Sequence, residues 1–346
     1  MKLFRNFTNF TALGGVAAMA SVLVFQPMQA QAMDTYYKGK TIRFVVGFGA
    51  GGGYDTYARM MAPEYEKILG ATVVVENQPG AGGMVALNKF NVAPPNGLTM
   101  TIVNGTGASL QQLLGLPGAR FDLTKFKVLG TADYSTWQFL VSPNSPYNTL
   151  ADVMKANKTF HWGGSGKVSG MSDGAAMTCH ALGLKCSVVT GYKGSRSAAL
   201  AVAKGEMDAM YVSETSAFNY VKGKNAKAIA TMNRKRSPLF PNLPTAFEQV
   251  PDLTKEQQWW IDYRATVESL GRILVMPPST PDNLVEVVRA ATDKILTNAA
   301  FVAAAEKKRR YIKYIDAAQT EKNIGTVLKS LTPQQVAQMK KVILGK

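Results

Sequence analysis

Apolar segments alternate with glycine-rich turns in the first third of the chain, and this alternation predicts a parallel sheet covered by helices. Thr41–Val46 is a β-branched, apolar run bounded by glycines, which predicts a buried strand. Asp55–Leu69 has apolar residues at helical spacing and stops before a glycine, which predicts a helix. A strand at 71–75, a helix ending near Asn91 and a strand at 98–103 follow. This succession is typical of α/β proteins.

The same pattern resumes in the middle of the chain, and the last third is mostly helical. Further strands are predicted at 139–141, 187–189, 208–212 and 228–231, and further helices at 174–184, 197–204, 282–297, 299–307 and 333–343. The sequence shows no internal repeat at a fixed period and no low-complexity tract. Its 346 residues allow about two domains of ordinary size.

The first 32 residues have the features of a secretory signal peptide. Lys2 and Arg5 precede an apolar segment at 11–25, and Ala30-Gln31-Ala32 fits an A-x-A cleavage site. Fifteen residues at about 1.5 Å each are too short to cross a hydrocarbon core of about 30 Å. We therefore expect cleavage before Met33 and a periplasmic protein.

Amino-acid composition excludes few classes of function and binding site. The formal net charge of +16 favours anionic partners, whether carboxylates, nucleic acid or an acidic surface. Two histidines and two cysteines argue against a histidine-rich or four-cysteine metal site, so no metal is expected. In an exported protein Cys179 and Cys186 can form a disulfide, worth about 2 kcal/mol for so short a loop. Two separately buried thiols are the alternative.

The strongest local motif is Gly47-x-Gly49-x-x-Gly52 between the first strand and the first helix. With Glu76 at the end of the next strand, it matches the pattern of dinucleotide-binding turns. Its physical basis is broader, because close backbone approach and free N–H groups at a helix start serve a carboxylate equally well. A tight turn without a ligand is a third interpretation. Export argues against NAD, although an exported α/β enzyme that binds a nucleotide stays an alternative.

Other chemical motifs fail when they are tested against the residues. Gly166-Lys167 is followed by Val168, where a phosphate-binding P-loop needs Ser or Thr. The basic runs at 234–236 and 307–310 lack the aromatic platforms of a nucleic-acid site and fit solvated surfaces. These tests leave no motif that requires a cofactor, so no cofactor and no nucleic-acid partner are expected.

Several segments together resemble one known family, the solute receptors of tripartite tricarboxylate transporters, also called the Bug family. Residues 41–83 (TIRFVVGFGAGGGYDTYARMMAPEYEKILGATVVVENQPGAGG) carry most of the resemblance. It continues through APPNGLT at 93–99, YKG at 192–194, GEMD at 205–208 and KRSPLFPNLPT at 235–245. The motifs cover most of the chain that would remain after cleavage, in the expected order.

The resemblance implies an α/β fold of the two-lobed periplasmic binding protein type (type II-like). Each lobe would be a Rossmann-like sheet wrapped by helices, and two crossing hinge strands would join the lobes. Residues 33–136 and 232–346 would form the first lobe, and 137–231 the second. The hinge strands would lie at 136–141 and 228–233. Such a receptor captures a small carboxylate in the cleft, without catalysis, and delivers it to large and small membrane transporter subunits.

The resemblance also implies a binding site built from both glycine turns and from polar residues of the second lobe. The implied ligand-binding residues are Gly49, Ala50, Gly51, Gly52, Gly53, Tyr54, Asp55, Gly80, Ala81, Gly82, Thr106, Ser165, Ser169, Tyr192, Lys193 and Ser213. Because like charges repel, Asp55 is expected to hold the turn by accepting N–H bonds, or to bind a ligand hydroxyl or amine. Tyr192 also fits a core position, and Lys193 an exposed turn.

The ligand class stays open between a di- or tricarboxylate and an aromatic carboxylate. Tyr54 stands where the family often has threonine, and its ring would narrow the cleft or offer an aromatic face. Trp259-Trp260 fits either a helix core or a contact with the membrane partner. We expect a monomer, and a sensory receptor that uses the same lobes is the remaining alternative.

Overall fold

Two five-stranded mixed sheets, each flanked by helices, form the framework of the protein. The structure, a computed structural model, describes residues 35–345, so the predicted signal peptide lies outside the described residues. The strands are β1 (Thr41–Val46), β2 (Thr72–Asn77), β3 (Thr99–Asn104), β4 (Lys127–Thr131), β5 (Trp137–Val141), β6 (Phe160–Gly163), β7 (Cys186–Val189), β8 (Ala209–Ser213), β9 (Lys227–Thr231) and β10 (Arg272–Met276). The strand orders are β2-β1-β3-β10-β4 and β7-β6-β8-β5-β9.

Helices connect the strands and close the C-terminal third. They are α1 (Gly53–Leu69), α2 (Met84–Asn91), α3 (Gly105–Leu113), α4 (Leu150–Lys155), α5 (Gly170–Leu182), α6 (Ser195–Ala203), α7 (Glu214–Lys222), α8 (Ala246–Gln249), α9 (Lys255–Glu268), α10 (Asp282–Leu296), α11 (Ala299–Lys307), α12 (Ala317–Leu328) and α13 (Pro333–Leu344). None of the helices between residues 35 and 345 is both long and apolar enough to cross a membrane.

The two sheets share one topology, and each receives its fourth strand from the crossing chain. In the first sheet β1 pairs in parallel with β2 and β3, whereas β10 is antiparallel to β3 and β4. In the second, β6 is parallel to β7 and β8, whereas β5 is antiparallel to β8 and β9. The chain enters the second sheet through β5 and returns to the first through β10. We call the region around each sheet the first and the second lobe.

The crossing segments couple the lobes more closely than a simple two-strand hinge. The predicted hinge segments at 136–141 and 228–233 coincide with β5 and β9, which both belong to the second sheet. The chain then forms α9 before it reaches β10, and both α9 and α13 pack against α5 of the second lobe. Segment 232–346 therefore makes contacts with both lobes.

Local sequence explains where the site-forming helices begin and end. The residue before α1 is Gly52, in an extended conformation, and α1 ends at Gly70 in the left-handed region (φ 63°), where its N–H donates to Glu66 O. Helix α5 begins at Ser169, whose side chain accepts the Ser172 N–H. Gly52 and Ser169 therefore mark where these two helices begin.

The structure decides two points that the sequence left open, the state of the two cysteines and the location of Trp260. Cys179 at the end of α5 and Cys186 at the start of β7 form a disulfide, with Cα atoms 6.2 Å apart. Trp260 is completely buried, as the core interpretation predicts. Trp259 is partly buried and stacks on Tyr263 with ring centroids 5.4 Å apart.

Candidate functional site

A cavity lies between the two lobes, where the first turn of α1 faces the second sheet. Its volume is about 40 Å³, enough for a few water molecules. A carboxylate with several carbon atoms would therefore enter only when the lobes separate. The lining residues are Phe48, Gly52, Gly53, Tyr54, Asn104, Trp137, Ser165, Gly170, Met171, Gly194, Ser195, Val212, Ser213, Ser216 and Arg272.

Arg272, the first residue of β10, provides the positive charge of this cavity. Its side chain is 4% exposed. The guanidinium forms an ion pair with Asp133, and Nη2 donates to Ser213 Oγ at 3.1 Å. The same guanidinium lies over the rings of Tyr54 and Tyr57, at 5.2 and 4.7 Å from their centroids. These contacts fix one cation at the junction of the two lobes.

Asp133 compensates part of this charge. It is completely buried, and burial raises the pKa of its carboxyl to about 6, although Arg272 acts in the opposite direction. Because Arg272 keeps its proton at all physiological pH values, the pair is an ion pair above about pH 6. The carboxylate occupies one edge of the guanidinium and so restrains its orientation.

A second layer of charge lies behind Arg272. Lys313 donates to Glu214 Oε1 at 2.8 Å, and Arg310 donates to the Thr215 carbonyl at 3.3 Å. Burial lowers the pKa of Arg310, and the nearby Arg272 guanidinium lowers it further. With Asp133 and Glu214 as the acids, the five groups comprise three cations and two anions. The excess positive charge favours an anion at this end of the cavity.

The start of α1 adds hydrogen-bond donors to the same point. Gly52, Gly53 and Tyr54 line the cavity, and the first N–H groups of a helix have no partner inside it. A Cβ on Gly53 would lie 3.2 Å from both Arg272 Nη2 and Ser216 Oγ. Glycine therefore leaves room where backbone, guanidinium and hydroxyl donors converge, an arrangement that suits a carboxylate.

Asp55 stabilises the first turn rather than facing the cavity. Its Oδ2 accepts the Gly51 N–H at 2.8 Å, and its Oδ1 accepts bonds from Asn77 Nδ2 and Arg59 Nε, both at 2.9 Å. Asp55 is 3% exposed and does not line the cavity. Holding the turn is one of the two roles expected for Asp55 from the sequence.

Both glycine turns contact the second lobe directly. The Gly49 N–H donates to the Lys193 carbonyl at 2.7 Å, and the Gly82 N–H donates to the Ser165 carbonyl at 3.0 Å. Gln111 of α3 adds a side-chain bond to the Val168 carbonyl at 2.7 Å. The lobes are therefore closed on each other, and these N–H groups are engaged between them.

The structure divides the predicted ligand-binding residues into three groups. The first group lines the cavity and consists of Gly52, Gly53, Tyr54, Ser165 and Ser213. The second group lies in the turns that meet between the lobes, or on their exposed rim, and consists of Gly49, Ala50, Gly51, Gly80, Ala81, Gly82 and Lys193. The third group has other local roles and consists of Asp55, Thr106, Ser169 and Tyr192. Of these, Thr106 donates to the Val267 carbonyl at 3.3 Å, and the Tyr192 N–H donates to the Gly164 carbonyl.

Sequence reasoning missed several lining residues, and Arg272 is the most important of them. The other missed side chains that argue for a ligand are Phe48, Asn104, Trp137, Met171, Ser195 and Ser216. Arg272 is the first residue of the apolar segment RILVM. A single cation at the start of a buried strand was the sequence signal that could have identified it as a site residue. Trp137 opens β5, inside a segment that was predicted only as a hinge.

The acid of the dinucleotide motif has a partner of its own. Glu76 accepts two bonds from Arg43, at 2.9 Å from Nε and 2.8 Å from Nη2. Neither residue lines the interlobe cavity, and the Arg43 guanidinium lowers the pKa of Glu76. The carboxylate is therefore used to join β1 and β2 at the sheet surface.

A second buried charge cluster lies on the other side of Trp137. Arg264 Nη2 is 3.2 Å from Asp173 Oδ1, and Arg264 Nε is 3.7 Å from Glu268 Oε1. Tyr211 donates to Glu268 at 2.7 Å. Burial raises the pKa of Asp173 to about 6 and that of Glu268 to about 8, against the opposing effect of Arg264. Near pH 7 one carboxylate balances one guanidinium, and Glu268 keeps its proton.

This arrangement predicts that Glu268→Gln makes stability less dependent on pH. A carboxyl whose pKa is raised in the folded state loses its stabilising effect as pH rises from about 4.5 to about 8. In that window the free energy of unfolding of wild type falls by up to about 1.4 kcal/mol per pH unit relative to that of the variant. Urea unfolding at pH 5, 6.5 and 8 measures this difference. Glu256→Gln, an exposed glutamate of the same helix, is the control, and parallel curves for Glu268→Gln and wild type would contradict the prediction.

Comparison with known proteins assigns this architecture to a family. A family profile described as the tripartite tricarboxylate transporter family receptor matches residues 57–334. The UPF0065 protein of the gbd 5′ region of Cupriavidus necator is 30% identical over 250 residues, which cover 69% of this chain and 73% of that protein. The structure of the periplasmic binding protein BugD superimposes with a TM-score of 0.74 at 23% identity, covering 88% of this chain and 98% of that one.

A third comparison is with a structure that contains a ligand. MatC from Rhodopseudomonas palustris with bound malate superimposes with a TM-score of 0.69 at 22% identity, covering 88% of this chain and 99% of that one. Both structural matches have the two-lobed fold predicted from the sequence, and the family profile spans most of the described residues. The chain belongs to the family of tripartite tricarboxylate transporter receptors.

Proposed function

We propose that this protein is a periplasmic, monomeric receptor that captures a small carboxylate between its lobes and delivers it to a tripartite tricarboxylate-type membrane transporter. The convergence of the Arg272 guanidinium, the hydroxyls of Ser213 and Ser216 and the start of α1 on one interlobe cavity carries the proposal. Family membership supports the transporter partner and the location. The malate in MatC supports the ligand class.

Capture would proceed by closure of the lobes around the ligand. The first lobe supplies the helix start at Gly52 and Gly53 and the guanidinium of Arg272, and the second supplies Ser165, Ser213 and Ser216. A carboxylate that contacts both sets binds the closed arrangement better than the open one. That difference in affinity shifts the population toward closure. The closed surface is then the one that a transporter would recognise.

A binding screen tests this function. The protein that starts at Met33 is unfolded, dialysed to remove any ligand from the host, refolded, and mixed with malate, adipate, benzoate, glucose or NAD. A ligand at 100 times its Kd adds about 2.7 kcal/mol to the free energy of unfolding, which raises Tm by a few degrees. We expect at least one carboxylate to raise Tm, whereas glucose and NAD leave it unchanged. A shift with NAD alone would contradict the receptor function and favour an enzyme.

A further inference from the structure

We infer that the ligand carries a single carboxylate on a flat, apolar body, and that Arg272 recognises its charge. The inference rests on the proposed function and narrows its ligand class from carboxylates in general to aromatic monocarboxylates. Three features of the cavity support it: the position of Arg272, the number of charges in the lining, and the composition of the remaining wall.

Arg272 is buried, and its guanidinium is held at the edge of the cavity by one acidic and two hydroxyl partners. Its Nη1 contacts Asp133, and its Nη2 donates to Ser213 Oγ at 3.1 Å and to Thr215 Oγ1 at 3.5 Å. A Cβ on Gly53 would lie 3.2 Å from both Nη2 and Ser216 Oγ. At this point the guanidinium borders the open space of the cavity. A carboxylate oxygen at that point would accept bonds from both groups.

Asp133 and two aromatic rings position this guanidinium before any ligand arrives. The carboxylate of Asp133 is completely buried, and the rings of Tyr54 and Tyr57 lie 5.2 and 4.7 Å from the guanidinium carbon. A planar cation held in this way needs little reorganisation on binding. Asp133 is thus a positioning residue, and Arg272 is the residue that would touch the ligand.

The cavity lining contains a cation for only one ligand carboxylate among the described residues. Among the described residues that line the cavity, Arg272 is the only one with an ionised side chain. The other polar side chains away from it are neutral, namely Asn104, Ser165 and Ser195. A second carboxylate would have to be buried against hydroxyl and amide groups without a cation, which is unfavourable. The charge balance therefore favours a monocarboxylate over a dicarboxylate.

The rest of the wall is aromatic and apolar on both sides of the cleft. Phe48 and Tyr54 belong to the first lobe and stack on each other, with centroids 4.7 Å apart and planes at 22°. Trp137 belongs to the second sheet and stacks on Tyr211, with centroids 5.4 Å apart. Met171 and Val212 complete this side. Between lobes held further apart than in this structure, a flat apolar body can contact aromatic surfaces from both lobes, which buries it efficiently.

The first experiment uses wild type and three probes that separate charge from shape. Benzoate has one carboxylate on a ring, benzamide has the same shape without the charge, and adipate has two carboxylates on an aliphatic chain. Calorimetric titration of the refolded protein that starts at Met33 should give benzoate at least 10-fold tighter binding than adipate. It should also give benzoate at least 100-fold tighter binding than benzamide.

The second experiment tests Arg272 itself. The double variant Arg272→Met/Asp133→Asn removes both members of the buried pair, so that no lone charge is left inside. We expect its benzoate affinity to fall at least 100-fold, with benzamide affinity changed less than 3-fold. Arg272→Lys is the companion variant, because it keeps the charge and loses the planar fork, and should retain part of the preference for benzoate. Thermal unfolding establishes that each variant is folded.

The outcomes distinguish this inference from the proposed function. Adipate binding as tightly as benzoate, or more tightly, would overturn the aromatic monocarboxylate and leave the carboxylate receptor intact. No binding by benzoate, adipate or malate would overturn both. An unchanged benzoate-to-benzamide ratio in the folded double variant would overturn the role of Arg272. Because the wild-type titrations need no variant, the ligand class is tested even if the double variant does not fold.

Discussion

Replacing Gly52 by aspartate is expected to weaken carboxylate binding at least 100-fold and to leave the fold intact. Gly52 precedes α1 with φ −77° and ψ 178°, an extended conformation open to any residue. A Cβ there would meet only the Gly49 carbonyl oxygen, at 3.4 Å. Aspartate is a favourable residue before a helix, so stability should stay equal or rise by a few tenths of a kcal/mol.

The loss of affinity follows from the position of the new carboxylate. Gly52 lines the cavity, so an aspartate there would accept the N–H bonds at the start of α1 that a ligand would otherwise receive. It would also place a negative charge in the same small cavity as the ligand carboxylate. A 100-fold loss corresponds to about 2.7 kcal/mol, within the range expected for competition and repulsion at a buried site.

The variant Gly52→Asn separates the effect of charge from the effect of shape, because asparagine has nearly the same size as aspartate and also caps helices. We expect Asn to lower affinity much less than Asp, since it occupies space and N–H groups without adding a charge. Calorimetric titration with the carboxylate that raises Tm most, together with thermal unfolding of both variants, gives the two quantities. If Gly52→Asp binds that carboxylate as wild type does, the first turn is not the anion site.

The elements with strong local signals were predictable from the sequence, because their signals do not depend on distant residues. Thr41–Val46 was predicted with its exact bounds, and the helices at Asp282 and Ala299 begin where the pattern placed them. The strands β4, β6 and β10 were not predicted. Their segments are only four or five residues long, and each contains a charged, polar or glycine residue, such as Lys127, His161 or Arg272. Their identity as strands depends on the neighbours that the sheets provide.

The glycine turns show why the candidate site was predicted only in part. A glycine that admits a ligand and one that admits another backbone have the same local signature, since both need the absence of a side chain. Gly52 and Gly53 face the cavity, whereas Gly82 and Gly49 donate across the lobe interface. Arg272 could not be placed at the cavity from its local sequence, because β10 reaches the site only after the chain has crossed between lobes twice.

Gly166 provides the strongest test of closure, because it lies at a point of backbone contact between the lobes. A Cβ on Gly166 would lie 2.4 Å from both the Ala81 carbonyl carbon and the Gly82 nitrogen, which belong to the opposite lobe. Backbone cannot move aside as a flexible side chain can, so Gly166→Ala should prevent full closure. We expect affinity for the carboxylate ligand to fall about 100-fold, the same order as for Gly52→Asp, but for a steric reason.

Small-angle scattering distinguishes this cause from a local defect in the site. With saturating ligand, wild type should become more compact, whereas Gly166→Ala should keep the larger radius of gyration of the open form. Gly325→Ala on α12 is the matched control, because a Cβ there would have no atom within 4 Å. A Gly166→Ala protein that closes and binds like wild type would show that the Ala81–Gly82 contact gives way at little cost. Closure would then depend on the donors around Arg272 rather than on the glycine turns.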